Sequence, residues 1–122
     1  MSFRPCILIP IYNHKDTIAA CVEQLSAYQL SIFIVDDGSD QATQEVLSTL
    51  ASQHGLVQLY RLANNEGKGA AVMHGMLQAQ VQGYSHALQV DADGQHNLAD
   101  VNKFLAGAAQ DPEAAICRQP IY

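Results

Sequence analysis

The sequence predicts an α/β fold: an open, mostly parallel sheet with flanking helices. Apolar runs of strand length recur along the 122-residue chain. Stretches with helical spacing alternate with them. The runs are continuous rather than alternating, as expected of strands covered on both faces. Strand alternating with helix implies parallel strands joined by right-handed crossovers.

The first strand is expected over residues 6–9, with Pro10 marking its end. Ile18, Cys21, Val22, Leu25 and Tyr28 then share one helix face, and Asp16 or Thr17 can cap its start. Residues 32–35 form the second strand, closed by Asp36-Asp37-Gly38. Val46, Leu47 and Leu50 make the next apolar stripe, between Ser39 or Asp40 as cap and Gly55 as stop. A third strand covers residues 57–62, and Met73, Met76, Leu77 and Val81 mark the apolar face of a third helix ended by Gly83. Residues 87–90 are the fourth strand. Val101, Phe104, Leu105 and Ala108 mark a fourth helix capped by Asn97, and residues 114–117 a fifth strand.

Composition bounds the function. With 48% hydrophobic and 15% charged residues the chain reads as one soluble globular domain. Twelve acidic against six basic residues give a net charge of −6, with no basic run, which excludes non-specific nucleic-acid binding. No segment approaches the roughly 18 apolar residues of a membrane span. The N-terminus lacks the apolar stretch of a signal peptide, so the expected compartment is the cytoplasm. Cys6, Cys21 and Cys117 are odd in number and lack zinc spacing, so they read as buried free thiols.

The chemistry gathers where strands are expected to end. Those ends read Pro10-Ile11-Tyr12-Asn13-His14, Asp36-Asp37-Gly38-Ser39-Asp40, Asn64-Asn65-Glu66-Gly67-Lys68-Gly69 and Asp91-Ala92-Asp93-Gly94-Gln95-His96. In open α/β sheets, ligands bind outside the carboxyl ends of the strands. Five carboxylates there (Asp36, Asp37, Asp40, Asp91 and Asp93) repel one another unless a cation or hydrogen-bond donors compensate. Asp91-Ala92-Asp93 can present two carboxylates to one hard divalent ion, Mg²⁺ or Mn²⁺, with Gln95 and His96 near enough to extend the shell. The same residues also suit a plain turn. Asp36-Asp37-Gly38-Ser39 can be a loop with a helix cap, or can offer a carboxylate to a base N–H. Tyr12 can be a half-buried aromatic or a ring stacked near a base. Gly67-Lys68-Gly69-Ala70-Ala71 can meet phosphate at a helix start or serve close helix packing; it is neither a P-loop nor a dinucleotide fingerprint.

Taken in order, Ile9-Pro10-x-Tyr12-Asn13, Val35-Asp36-Asp37-Gly38-Ser39, Asn65-x-Gly67-Lys68-Gly69-Ala70 and Asp91-Ala92-Asp93-Gly94-Gln95-His96 resemble family 2 glycosyltransferases of the GT-A fold. The resemblance is closest to the dolichol- and polyprenyl-phosphate sugar transferase branch. It implies an inverting, metal-dependent transfer of a sugar from a nucleoside diphosphate to an acceptor, lipid phosphates and glycans included. By that resemblance Pro10 and Tyr12, with Asn13 beside them, border the nucleobase, Asp37 accepts from it, and Lys68 lies under the nucleotide. Asp91 lies near ribose and metal, Asp93 binds the divalent ion, and Gln95 joins its shell. His14 departs from the acidic residue many members carry there.

The resemblance spans residues 1–122 as the Rossmann-like, nucleotide-sugar-binding part of such a domain, with the acceptor half and the general base absent. The chain alone is then expected to be inactive. Its uncovered apolar residues Ile116, Ile121 and Tyr122 would favour self-association. The full-length protein would work at the inner face of the membrane. Rival readings are a non-catalytic nucleotide- or partner-binding module and a nucleotidyltransferase. The latter would want a glycine-rich basic loop after the first strand, which residues 11–15 do not supply. A phospho-acceptor receiver domain fails because its paired acids belong after the first strand, not the second.

Overall fold

A computed structural model describes residues 4–92 and the backbone of 119–121. The expected fourth helix, the expected strand at 114–117, and Asp93, Gln95, His96, Ile116, Cys117 and Tyr122 lie outside the described residues. So does the side chain of Ile121.

The elements run β1 (Pro5–Ile11), α1 (Ile18–Ser26), β2 (Ser31–Asp36), α2 (Gln41–Gln53), β3 (Val57–Arg61), α3 (Lys68–Val81), β4 (His86–Val90) and β5 (Gln119–Ile121). The strands form one sheet in the order β3-β2-β1-β4-β5, every neighbouring pair parallel. The predicted α/β class is the observed one.

Alternate residues of β1 feed opposite faces, as the period of a strand requires. Ile7, Ile9 and Ile11 join Ile32, Ile34 and the apolar sides of α1 and α2 in one core. Cys6 and Leu8 join Phe33, Val35 and α3 in the other. Burial pushes the Cys6 thiol up to about 12, so it stays protonated at neutral pH and unreactive. Cys21 is also buried and in no disulfide.

Two expectations need correction. Pro10 does not end β1: it sits inside the strand, in register with Val35. The ladder to β4 stops earlier, at Leu8↔Gln89, while the ladder to β2 continues to Ile11↔Asp36. Pro10, which has no N–H to give, therefore falls beyond the last β4 pairing.

The second correction concerns α3. Met73, Leu77 and Val81, expected on its core face, are exposed, and the buried face is Ala71, Val72, Gly75, Met76 and Ala79. Small residues win because the helix lies very close to β1. A Cβ built at Gly75 would overlap Leu8 Cδ1 and stand 3.1 Å from Val35 Cγ2. Gly75→Ala gains about 1 kcal/mol of helix propensity but overpacks a site costing about 1–3 kcal/mol. The expected result is a net loss of about 1 kcal/mol, read as a lower urea midpoint at unchanged slope. An unchanged or raised midpoint would mean that Leu8 yields freely.

Candidate functional site

The strand order reverses between β1 and β4, and such a switch point opens a crevice at the carboxyl edge. Here the split of β1 from β4 beyond Leu8 coincides with it. Tyr12 stands on the β1 side, 49% exposed, and Asp91 on the β4 side directly after Val90. Thr17 spans the crevice. Its hydroxyl donates to the Ala92 carbonyl at 2.6 Å, and although it occupies the N-cap position of α1 it makes no side-chain cap bond. The sequence reading placed Thr17 only as a cap, and nothing in its local pattern announces a partner 75 residues away.

Asn13 joins the first two strand ends. Its φ of 59° lies in the left-handed region, which asparagine tolerates better than most residues. Its N–H donates to Ser39 Oγ at 3.0 Å, and its Oδ1 accepts from the Asp40 N–H at 2.8 Å. Asp40 in turn caps α2, accepting from the Thr43 N–H at 2.9 Å. Hydrogen bonding from Thr43 holds the Asp40 carboxyl below the usual carboxylate range.

Asp36 is fully buried. One oxygen accepts from the Ser39 N–H at 2.9 Å, and the other pairs with Arg61 Nε at 3.1 Å. Arg61 is its register partner on β3, a pairing invisible until the strands are aligned. Asp37 is 3% exposed and turned toward the loop before α3. Its Oδ1 accepts from the Glu66 N–H at 2.7 Å. Its Oδ2 accepts from the Gly67 N–H at 3.0 Å and from Asn65 Nδ2 at 3.3 Å. With Oδ2 taken twice, the second lone pair of Oδ1 is the acceptor position these bonds leave.

That loop delivers Lys68. Gly67, at φ 102° and ψ 156°, brings no capping side chain to α3, so the helix start keeps its N–H groups for an anion. Lys68 Nζ lies 2.6 Å from Asp91 Oδ1, the two side chains 57% and 29% exposed. Gly69, proposed for close packing, has open space where its Cβ would be. The crowding of carboxylates is thus relieved by protein partners: Asp36 by Arg61, Asp37 by loop N–H groups, Asp40 by α2 and Asp91 by Lys68.

Asp91, a partly exposed hard oxygen donor at the crevice, suits a divalent ion by its chemistry. Among the described residues no three His, Cys, Asp or Glu side chains are grouped to hold a metal; the other expected ligands, Asp93 and Gln95, lie outside them. His54, His74 and His86 stand apart from the crevice: His54 follows α2, His74 meets the Tyr60 ring edge-on, and His86 is buried with Nδ1 at 2.8 Å from Ser85 Oγ.

The model of glycosyl transferase family 2 matches residues 6–122. A dolichyl-phosphate beta-glucosyltransferase of Drosophila melanogaster is 34% identical, over 85% of this chain and 35% of its own length. A polyprenol monophosphomannose synthase of Mycolicibacterium smegmatis is 28% identical, over 93% of this chain and 44% of its own. A UDP-N-acetylglucosamine–dolichyl-phosphate N-acetylglucosaminyltransferase of Methanococcus voltae is 29% identical, over 86% and 47%. The chain therefore spans between a third and a half of the length of these relatives. Among the described residues no helix is long and apolar enough to cross a membrane.

Proposed function

Because this chain belongs to glycosyl transferase family 2, we propose that it forms the donor-binding part of an enzyme that moves a sugar from a nucleoside diphosphate to a lipid phosphate. The observation that carries this reading is the gathering of Tyr12, Lys68 and Asp91 at the switch-point crevice. Its acceptor class is supported by the names of the relatives, which act on dolichyl phosphate or make a polyprenol phosphate sugar. Such an acceptor brings the reaction to a membrane surface, at its cytoplasmic side.

Each residue has a task in that scheme. Pro10, Tyr12 and Asn13 border the base, Tyr12 by offering its half-exposed ring. Asp37 secures the loop beneath the nucleotide and has one acceptor position for the base. Lys68 and the open start of α3 meet the diphosphate. Asp91, with Asp93 and Gln95, would hold Mg²⁺ or Mn²⁺, which when bound supplies positive charge beside the diphosphate. An acceptor oxygen attacks the anomeric carbon from the face opposite the diphosphate. The bond to the diphosphate breaks, the electron pair leaves with it, and the configuration inverts. Lys68 and the α3 N–H groups stabilise the charge that develops on the leaving oxygen. On this reading the acceptor site and a general base come from residues other than those named here.

Titration with UDP and GDP tests the donor site. Binding is expected with Mn²⁺ and at least about tenfold weaker in EDTA, ~1.4 kcal/mol, because carboxylates beside a diphosphate repel it without a cation between. Asp93→Asn is expected to reproduce the EDTA result. Binding indifferent to both removes the metal from the scheme. Productive binding of nucleoside triphosphates in preference to sugar nucleotides would indicate nucleotidyl transfer instead. Nucleotide binding with no sugar transfer identifies the chain itself as a binding module.

A further inference from the structure

We propose that Lys68 is an exchangeable counter-ion: it occupies Asp91 until a divalent cation takes that oxygen, and the ammonium so released then turns to the donor diphosphate. The inference rests on the donor site above but adds to it a competition that the protein carries within itself.

The geometry is that of a blocked ligand. Lys68 Nζ is 2.6 Å from Asp91 Oδ1, so that oxygen is engaged by a cation the chain supplies. The pair is weak enough to exchange. Both side chains reach solvent, and pairs of this kind contribute little to folding, because water screens the charges and holding the long lysine stem costs entropy. The backbone beneath Lys68 is, by contrast, tied. The preceding Gly67 N–H is held by Asp37 at 3.0 Å, and the Gly67 carbonyl accepts from the Ala71 N–H at 3.1 Å. Only the four-carbon stem has to swing.

Exchange makes metal and nucleotide help each other. A cation arriving alone must displace a tethered ammonium from Asp91. A diphosphate that draws the ammonium away clears that oxygen, and by linkage the cation strengthens nucleotide binding by the same factor. The paired state also spares the crevice an uncompensated carboxylate when it holds no ligand.

The test measures Mn²⁺ alone, by the loss of its free-ion paramagnetic resonance signal, on the 122-residue chain, on Lys68→Met and on Lys68→Arg. Thermal melts establish that all three are folded. Lys68→Met is expected to bind Mn²⁺ about threefold to fivefold tighter than the unaltered chain. With Mn²⁺ saturating, it should bind UDP or GDP weaker by about the same factor. Lys68→Arg keeps the charge and should match the unaltered chain toward Mn²⁺ alone. Opposite signs show that Lys68 acts on both ligands by its charge, and exchange further requires that Mn²⁺ strengthen UDP or GDP binding less in Lys68→Met than in the unaltered chain. A Lys68→Met chain that binds Mn²⁺ no tighter, or that weakens for metal and nucleotide alike, overturns the exchange. If the metal result holds while neither nucleotide binds any of the three chains, exchange at Asp91 stands and the donor reading falls.

Discussion

Gly38→Ala is expected to cost at least about 3 kcal/mol of stability, and to weaken nucleotide binding with it. Two effects add. Gly38 sits at φ 73°, where an L-alanine loses about 1–2 kcal/mol. Its Cβ would also stand 2.5 Å from Asn65 N and 2.6 Å from Asn64 C. Those are backbone atoms, so no rotamer change relieves the overlap. The loop before α3 must move, and the hydrogen bonds that Asp37 makes to Glu66 and Gly67 stretch with it. Gly67→Ala is the internal control. Its backbone, at φ 102° and ψ 156°, lies in a region almost confined to glycine, but nothing stands within 4 Å of its Cβ. Urea unfolding of both variants separates conformation from contact. If Gly38→Ala costs no more than about 1–2 kcal/mol, the cost of its backbone angle alone, the close approach of the two loops is not what holds them.

Asp37→Asn should be nearly as damaging as Asp37→Ala, at about 2–4 kcal/mol each by denaturant unfolding. Asparagine is usually the gentle replacement, because it keeps the size of aspartate. Here every group facing the carboxylate is a donor: the Glu66 N–H on one oxygen, the Gly67 N–H and Asn65 Nδ2 on the other. An amide must point its own NH₂ at one of these sides whichever way it flips. Two like dipoles then meet where a charge-assisted bond stood. An Asp37→Asn chain with the stability of the unaltered protein would show that the loop is held by something else.

These two positions also show what the sequence could and could not disclose. The strands were legible because β1 and β2 are continuous apolar runs and β4 nearly one, and β1 to β4 each lie within two residues of their expected bounds, whereas β5, at Gln119–Ile121, lies beyond the strand expected at 114–117. The class followed from them. The face of α3 was not legible, because the expectation ranked residues by hydrophobicity. The sheet instead selected by size: Gly75 lies over Leu8 with no room for a methyl group, and the larger Met73, Leu77 and Val81 were left to the surface. At the site, the strand-end motifs pointed to the carboxyl edge of the sheet, where Asp37, Lys68 and Asp91 lie. Their division of labour was hidden. Asp36 and Asp37 are neighbours of the same type, yet one is buried against Arg61 and the other latches a loop. That difference depends on register and on contacts between segments some 25 to 30 residues apart. Thr17 and Arg61 were missed for the same reason.

The thin seam beneath α3 makes the sheet a datum for the helix. A helix seated on leucines can tilt or slide as their rotamers change, and its ends wander accordingly. Ala71, Gly75 and Ala79 have no rotamers to change, and they recur every four residues along the buried side of α3. The helix therefore approaches the sheet most closely at Gly75, over the Leu8 side chain, with Val72 and Met76 filling the rest of the buried side. A single methyl added at Gly75, two turns from the crevice, would lift the scale on which the distance between ammonium and Asp91 is marked. The start of the helix that carries Lys68 is thereby tied to the packing of a residue that touches neither Lys68 nor Asp91.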